Sequence, residues 1–365
     1  MRSIGCIVLG VFLLVGSIQA QVEVHLEKEI QKIITFDAEI DFEQTPGMWV
    51  GIVWGDSSYL FNYGVASLED SLPLTPGHLF ELGEYTQVFT AALSVKLAEE
   101  GYIDLDSSLT GYLGIKHGDP ALEAITLRQC LHHTSGLPRY PLDFGEKEIS
   151  SQDPYSGYTK EDLLHFLKEY SMAASTPPAY NFSNINYALV EIALEKALGM
   201  PFEELMYDKM LNPLGLSQTH FYTPQNDQAL YAQGYNAAAR PVPLWSPASH
   251  QGAFGLRSNA LDMLSWMQYL LAPPPELASV FSELYRKSVP TGIRKNTHMG
   301  MGWHLLYPKK RRRVLVHTGS TSGYMAYMAL VPETQTGVFI LANSPYGTKG
   351  LGFLVLRMLN NNWKK

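Results

Sequence analysis

The chain has 365 residues, 46% of them hydrophobic and 17% charged, with a formal net charge of -8. That length and apolar content support a large buried core. The acidic balance argues against a nucleic-acid partner. Residues 1–20, MRSIGCIVLGVFLLVGSIQA, carry one Arg, an unbroken apolar run and a small-residue end at Ala20. This is the pattern of a secretory signal, too short and wrongly flanked to span a membrane. Cys6 lies too deep in the apolar run for a lipid-attachment site. The mature protein is therefore expected to begin near Gln21, to be exported to a periplasm or beyond the cell, and to have no membrane span. Its charge becomes -9, because residues 1–20 hold Arg2 and no acid. Cys130 is then the only cysteine, so the core alone must hold the fold, which suits a periplasm.

Residues Val24 to Asp41 space apolar positions by three and four, predicting an amphipathic helix. Met48 to Ser67 alternates around Gly55 and Asp56, a β-hairpin signature. From Thr86 to Glu100 good helix formers dominate and Gly101 supplies a stop. Residues from about 102 to 285 alternate helical runs with Pro- and Gly-punctuated loops. The longest irregular piece, Ala237 to Gly252, is expected to rim a cleft. Beyond Met299 short apolar strands return, and a helix is expected from about Gly350 to Trp363. The basic run Lys309 to Arg313 sits between two strand-like pieces and reads as a solvated hairpin tip. Both ends of the chain thus predict an α+β fold: a helix-flanked antiparallel sheet from about 21–85 and 290–365, with a mostly helical lobe from about 86–289.

Phe80 to Ala91, FELGEYTQVFTA, resembles the FxxGSxxKxFTA segment of class C β-lactamases, DD-peptidases and related esterases. Further stretches resemble that family in its order. They are LRQCLHHTSGLP (Leu127 to Pro138), NFSNINYALVEIALEKALGMPF (Asn181 to Phe202), NPLGL (Asn212 to Leu216), GAFGLRSNALDMLSWMQYLL (Gly252 to Leu271) and HTGSTSGYMAYMALVPE (His317 to Glu333). The resemblance implies a β-lactamase/transpeptidase-like fold and, in active relatives, acyl transfer through a serine.

Such chemistry needs a hydroxyl nucleophile, a group to take its proton, and donors aimed at the developing oxyanion. At the family's Ser, Lys and Tyr positions this chain has Glu84, Gln87 and Phe182, so no catalytic residue is assigned. Tyr85 and Thr86 flank the nucleophile position but project elsewhere, since neighbouring helix residues are about 100° apart. Tyr180, two residues before Phe182, would restore a phenol only if the shortened TPPAYNFSN loop were shifted, and is otherwise expected to pack as an aromatic. Binding elements persist. Asn184 matches an Asn whose amide contacts substrate in the family. His317, Thr318 and Gly319 match a strand that recognises a carboxylate, and the N–H groups of Ser320 and residue 84 fall where the oxyanion donors would be. The His133 to Leu137 turn reads as structural.

No spacing suggests a metal site, and no cofactor is expected. Three readings follow. The first is an inactive homologue whose cleft keeps a small molecule, a peptide, a cell-wall fragment or a partner protein. The second is a hydrolase of ester, amide or peptide bonds using Glu84 and His317, and the third an interaction module with a vestigial cleft. Because Glu84 begins a helix, its carboxylate is expected to fill the oxyanion pocket itself.

Overall fold

The structure is a computed structural model that describes residues 19–146, 152–172, 179–221, 230–308, 312–346 and 348–360. The apolar leader and Cys6 lie outside the described residues, apart from the last two positions of residues 1–20. Eleven strands are described. They are β1 (Gly47–Trp54), β2 (Ser57–Ser67), β3 (Leu72–Pro73), β4 (Phe80–Glu81), β5 (Arg257–Ser258), β6 (Val289–Pro290), β7 (Thr297–Met299), β8 (His304–Leu306), β9 (Val314–Ser320), β10 (Met325–Val331) and β11 (Thr336–Ala342). Nine of them form one antiparallel sheet in the order β3-β2-β1-β11-β10-β9-β8-β7-β6, and β4 pairs with β5 separately. The antiparallel sheet expected from both ends of the chain is therefore present.

The sheet is covered on both faces, and its strands β10 and β11 are dominated by apolar residues. All seven residues of β10 and of β11 are buried. Side chains alternate across a strand. Met328, Leu330, Phe339 and Leu341 enter one core with the helices of the middle of the chain. Tyr327, Ala329, Val338 and Ile340 enter a second core. That second core takes Leu26, Ile30, Ile33 and Ile34 from the N-terminal helix, and Leu351, Val355 and Leu356 from the C-terminal one. Each buried large side chain contributes about 1.5–3 kcal/mol against the entropy of ordering it.

The expected hairpin is β1–β2, with Trp54 opposite Ser57 and Gly55 taking φ +59 in the two-residue turn. The N-terminal helix is helical from residue 19, earlier than expected, and ends in a π-turn over Ile33–Asp37. The C-terminal helix spans Thr348–Leu359. Ala237 to His250 is irregular as expected, with a short helix beginning at Gln251. The basic run falls in the β8–β9 connection. Lys309 to Arg311 lie outside the described residues, and Arg313 stands 3.8 Å from Glu333 with its guanidinium over the Tyr285 ring.

Two helices position the site. The helix Thr86–Glu99 is buried over its first ten residues, and its Thr90 and Ser94 hydroxyls donate to the Thr86 and Thr90 carbonyls. The second, Asn184–Leu198, is stopped by Gly199 in the left-handed conformation.

Candidate functional site

A close backbone approach sets the geometry around Glu84. Strand β4 leads through Leu82 into a tight 3-10 turn, Gly83–Tyr85, that feeds the helix from Thr86. Gly83 adopts φ +54, and a Cβ there would stand 2.5 Å from the Ser320 nitrogen. A Cβ at Gly319 would meet the Leu82 carbonyl oxygen at 1.9 Å and the Glu84 nitrogen at 2.7 Å. Only glycine lets the end of β9 lie against this turn. Across that contact the Ser320 N–H donates to Glu84 Oε2 at 2.8 Å. The other carboxylate oxygen, Oε1, is 3.7 Å from Arg139, whose side chain is 52% exposed against 15% for Glu84. The expected seating of the Glu84 carboxylate on the Ser320 amide is thus present.

The other two replaced positions are also tied into local structure. Gln87 is buried and its Nε2 donates to Asn184 Oδ1 at 3.2 Å, while Asn184 Nδ2 reaches the Tyr155 hydroxyl at 3.5 Å. Phe182 stacks on His133, with ring centroids 4.4 Å apart, and lies 5.1 Å beneath the Arg139 guanidinium. A cation over an aromatic face is held electrostatically. The phenyl ring at the Tyr position therefore supports the arginine that faces Glu84.

On β9, His317 lies opposite Met328 and Thr318 opposite Tyr327. Those partners belong to the two different cores, so the two side chains leave the strand on opposite faces. His317 is 2% exposed and packs edge-on to Tyr85 and 6.0 Å from His304. Burial and the neighbouring His304 push its imidazole down to about 3, against the pull of the Glu84 and Gly302 backbones. Tyr180 pairs its hydroxyl with His304 Nε2 at 3.0 Å, and burial pushes the phenol up to about 12.

The flanking hydroxyls point away, as expected. Tyr85 donates to the Met328 sulfur at 3.0 Å and accepts from Trp266 Nε1 at 3.0 Å, and Thr86 accepts from the Leu256 N–H. In the His133 turn, Nδ1 accepts from the Ser183 N–H and the Ser135 hydroxyl donates to Asn186 Oδ1 at 2.6 Å. These bonds are structural.

Arg139, Tyr155 and His304 belong to the site but carry no sequence pattern that assigns them to it. The rim is fixed by Trp245. Its N–H donates to Glu81 Oε1 at 2.7 Å, and its indole N–H donates to the Gln152 carbonyl at 2.7 Å and to the Ser322 hydroxyl at 3.0 Å. Glu81 pairs with Arg257 at 3.4 Å, and burial lifts its carboxyl to about 7 despite that partner. Among the described residues no group of three or more His, Cys, Asp or Glu is arranged to hold a metal ion, and no helix is long and apolar enough to cross a membrane.

The sheet order, the two-sided core and the turn that presents residue 84 to β9 define the fold of class C β-lactamases and penicillin-binding proteins. The chain belongs to the Beta-lactamase family, whose family model matches residues 35–355. A Beta-lactamase of Pseudomonas fluorescens is 27% identical over 354 residues, covering 87% of this chain and 94% of that protein. One from Escherichia coli (strain K12) is 26% identical, covering 84% and 86%. Among solved structures, a class C beta-lactamase mutant superimposes with TM-score 0.79 at 22% identity over 93% of this chain and 98% of that one. The octameric penicillin-binding protein homologue from Pyrococcus abyssi gives 0.77 at 25%, covering 93% and 77%.

Proposed function

We propose that this Beta-lactamase family member is an exported homologue without acyl-transfer activity that keeps its cleft for binding a ligand or partner. The observation that carries this reading is the bond from the Ser320 N–H to the Glu84 carboxylate. A donor that would stabilise a tetrahedral oxyanion is already satisfied by a fixed internal anion. Gln87 is neutral and engaged with Asn184, and Phe182 has no hydroxyl, so nothing at those positions relays a proton. Of the expected binding residues, Ser320 is the one that lines an open cavity; Asn184 and His317 are buried, and Thr318 leaves β9 on the face opposite His317, so these three and Gly319 support the cleft from behind. The leader pattern of residues 1–20 supports export to a periplasm or the exterior.

A hydrolase built on Glu84 and His317 has less support. The His317 ring is 2% exposed and packs edge-on against Tyr85, which shuts it from water, and the same burial pushes its imidazole toward the neutral form. Incubation with a fluorescent penicillin, a fluorophosphonate and chromogenic esters should give neither label nor turnover. Stoichiometric acylation would overturn the reading.

A further inference from the structure

We propose that the groove beside Ser320 binds a neutral, hydroxyl-rich ligand, with a short oligosaccharide as the class that fits. This deepens the reading above by naming what the retained cleft would take. Two cavities of about 290 and 490 Å³ adjoin at Val242 and together have the size of a small-ligand site. Ser320, Ser322, Asn236, Gln152 and Tyr346 are among the residues lining the larger one, and Tyr231, Gln233 and Pro243 among those lining the smaller. Among the described residues, none that lines either cavity is Lys, Arg, His, Asp or Glu.

That lining selects by charge. An anionic ligand would find no cation among the described lining residues, and the Ser320 N–H that could have received it is already taken by the Glu84 carboxylate. A cationic ligand would find no carboxylate among the described lining residues. Hydroxyls and side-chain amides each donate and accept, which is what successive sugar hydroxyls require. The apolar faces of a sugar ring match the Pro243, Val242 and tyrosine surfaces, and Tyr346 is 44% exposed where it lines the larger cavity.

The walls are also held in place. Gln233 Nε2 donates to the Gly234 and Val242 carbonyls at 2.9 and 3.2 Å, the Tyr324 hydroxyl donates to the Ala232 carbonyl at 2.6 Å, and Ser322 Oγ donates to the Gln152 carbonyl at 2.8 Å. Walls fixed beforehand lower the ordering cost of binding.

The test is calorimetric titration of the mature chain with chitotetraose, cellotetraose and maltotetraose, beside benzylpenicillin and a neutral acetylated tripeptide amide. At least one tetrasaccharide is expected to bind with a Kd at or below about 1 mM. Tyr346→Ala is expected to weaken it at least tenfold, and so is Asn236→Asp, which keeps the acceptor that holds the Ala238 and Arg240 amides. Neither variant should change the melting temperature. Saturation by none of the three sugars, undiminished binding by both variants, or tighter binding of the tripeptide or the penicillin would overturn the proposal. Covalent penicillin labelling with sugar binding intact would defeat the inactive-homologue reading and leave the groove standing. No labelling and no sugar binding would do the reverse.

Discussion

The Ser320 backbone N–H and the Glu84 carboxylate meet at 2.8 Å although 236 positions separate them in the chain. The contact couples the 3-10 turn that feeds the Thr86–Glu99 helix to the end of β9. A hydrogen bond to a charged group is worth about 1.5–3 kcal/mol, and truncation leaves its partner unsatisfied. Glu84→Ala is therefore expected to lower the melting temperature by several degrees, and added acetate or formate should recover part of the loss by occupying the vacated seat. Thermal melts with and without the carboxylate, using chloride as the ionic control, make the comparison. An unchanged melting temperature would show that the contact is idle.

The three replaced positions form a linked set. The active pattern needs all of its members, and groups that act as a unit are strongly non-additive. Glu84→Ser alone should leave the protein unlabelled by a fluorescent penicillin. The combined Glu84→Ser, Gln87→Lys, Phe182→Tyr variant should acquire slow covalent labelling, because a lysine at 87 would find the Asn184 oxygen that now accepts from Gln87. Intact-mass measurement after incubation reads the outcome, and equal labelling of the single and triple variants would contradict it.

Stability should peak near neutral pH and fall on acidification. Burial lowers His132, sends His133 well below its ordinary 6.5, and takes His250 and His317 to about 3 and His304 to about 4. Below 6.5 the unfolded chain binds more protons than the folded one at these sites, so their contribution is present above 6.5 and is lost as pH falls toward the folded values. Glu81 and Glu191 work in the opposite sense. Burial raises both to about 7 from 4.5, so their contribution is fully present below 4.5 and is lost as pH rises through 7. Burial raises Asp153, Glu203 and Asp262 in the same sense as these two. Hydrogen bonds from Arg128, the Met172 N–H and the Gly118 N–H lower Asp106, Asp119 and Glu123 and reinforce the five histidines, so the expected balance on acidification is a net loss. Denaturant melts from pH 4.5 to 8 test the sign, and a maximum at pH 5 would refute it.

Gly319→Ala should be among the most damaging single-methyl additions in the chain. Its Cβ would lie inside the Leu82 carbonyl and against the Glu84 nitrogen, both of them backbone atoms that cannot rotate aside. Overpacking of this kind costs about 1–3 kcal/mol or more. Gly55→Ala meets no atom within 4 Å and carries only the strain of φ +59, so it serves as the control. Urea midpoints of the two variants should differ clearly.

The hairpin at Gly55, the strand pair from His317 and the frame around Glu84 were legible because each is a local pattern: alternation, a turn glycine, a helix with a stop. The seating of Glu84 on Ser320 was also legible, since the helix start and the resemblance both place an anion beside a free donor. Arg139 was not. It follows the Leu127 to Pro138 segment without any repeating signal, and its place is set by the bond from the Asn184 N–H to its carbonyl at 3.2 Å and by the Phe182 ring. The Gln87–Asn184 pair depends on two helices meeting across 97 positions, which no window of sequence reveals. The N-terminal helix started early because Val22, ahead of the periodic stretch, still finds the second core.

The pairing of β1 with β11, Met48 opposite Ala342, makes completion of the sheet wait for residues 336–342. Without residues 336–342, β1 has only β2 beside it, and the face that receives Phe339 has no filling. Closing so long a loop costs entropy before any contact rewards it, so folding is slow and late. A chain in which β11 has not yet docked presents a bare apolar edge open to aggregation. The order in which these strands meet therefore matters to this molecule alongside its final stability.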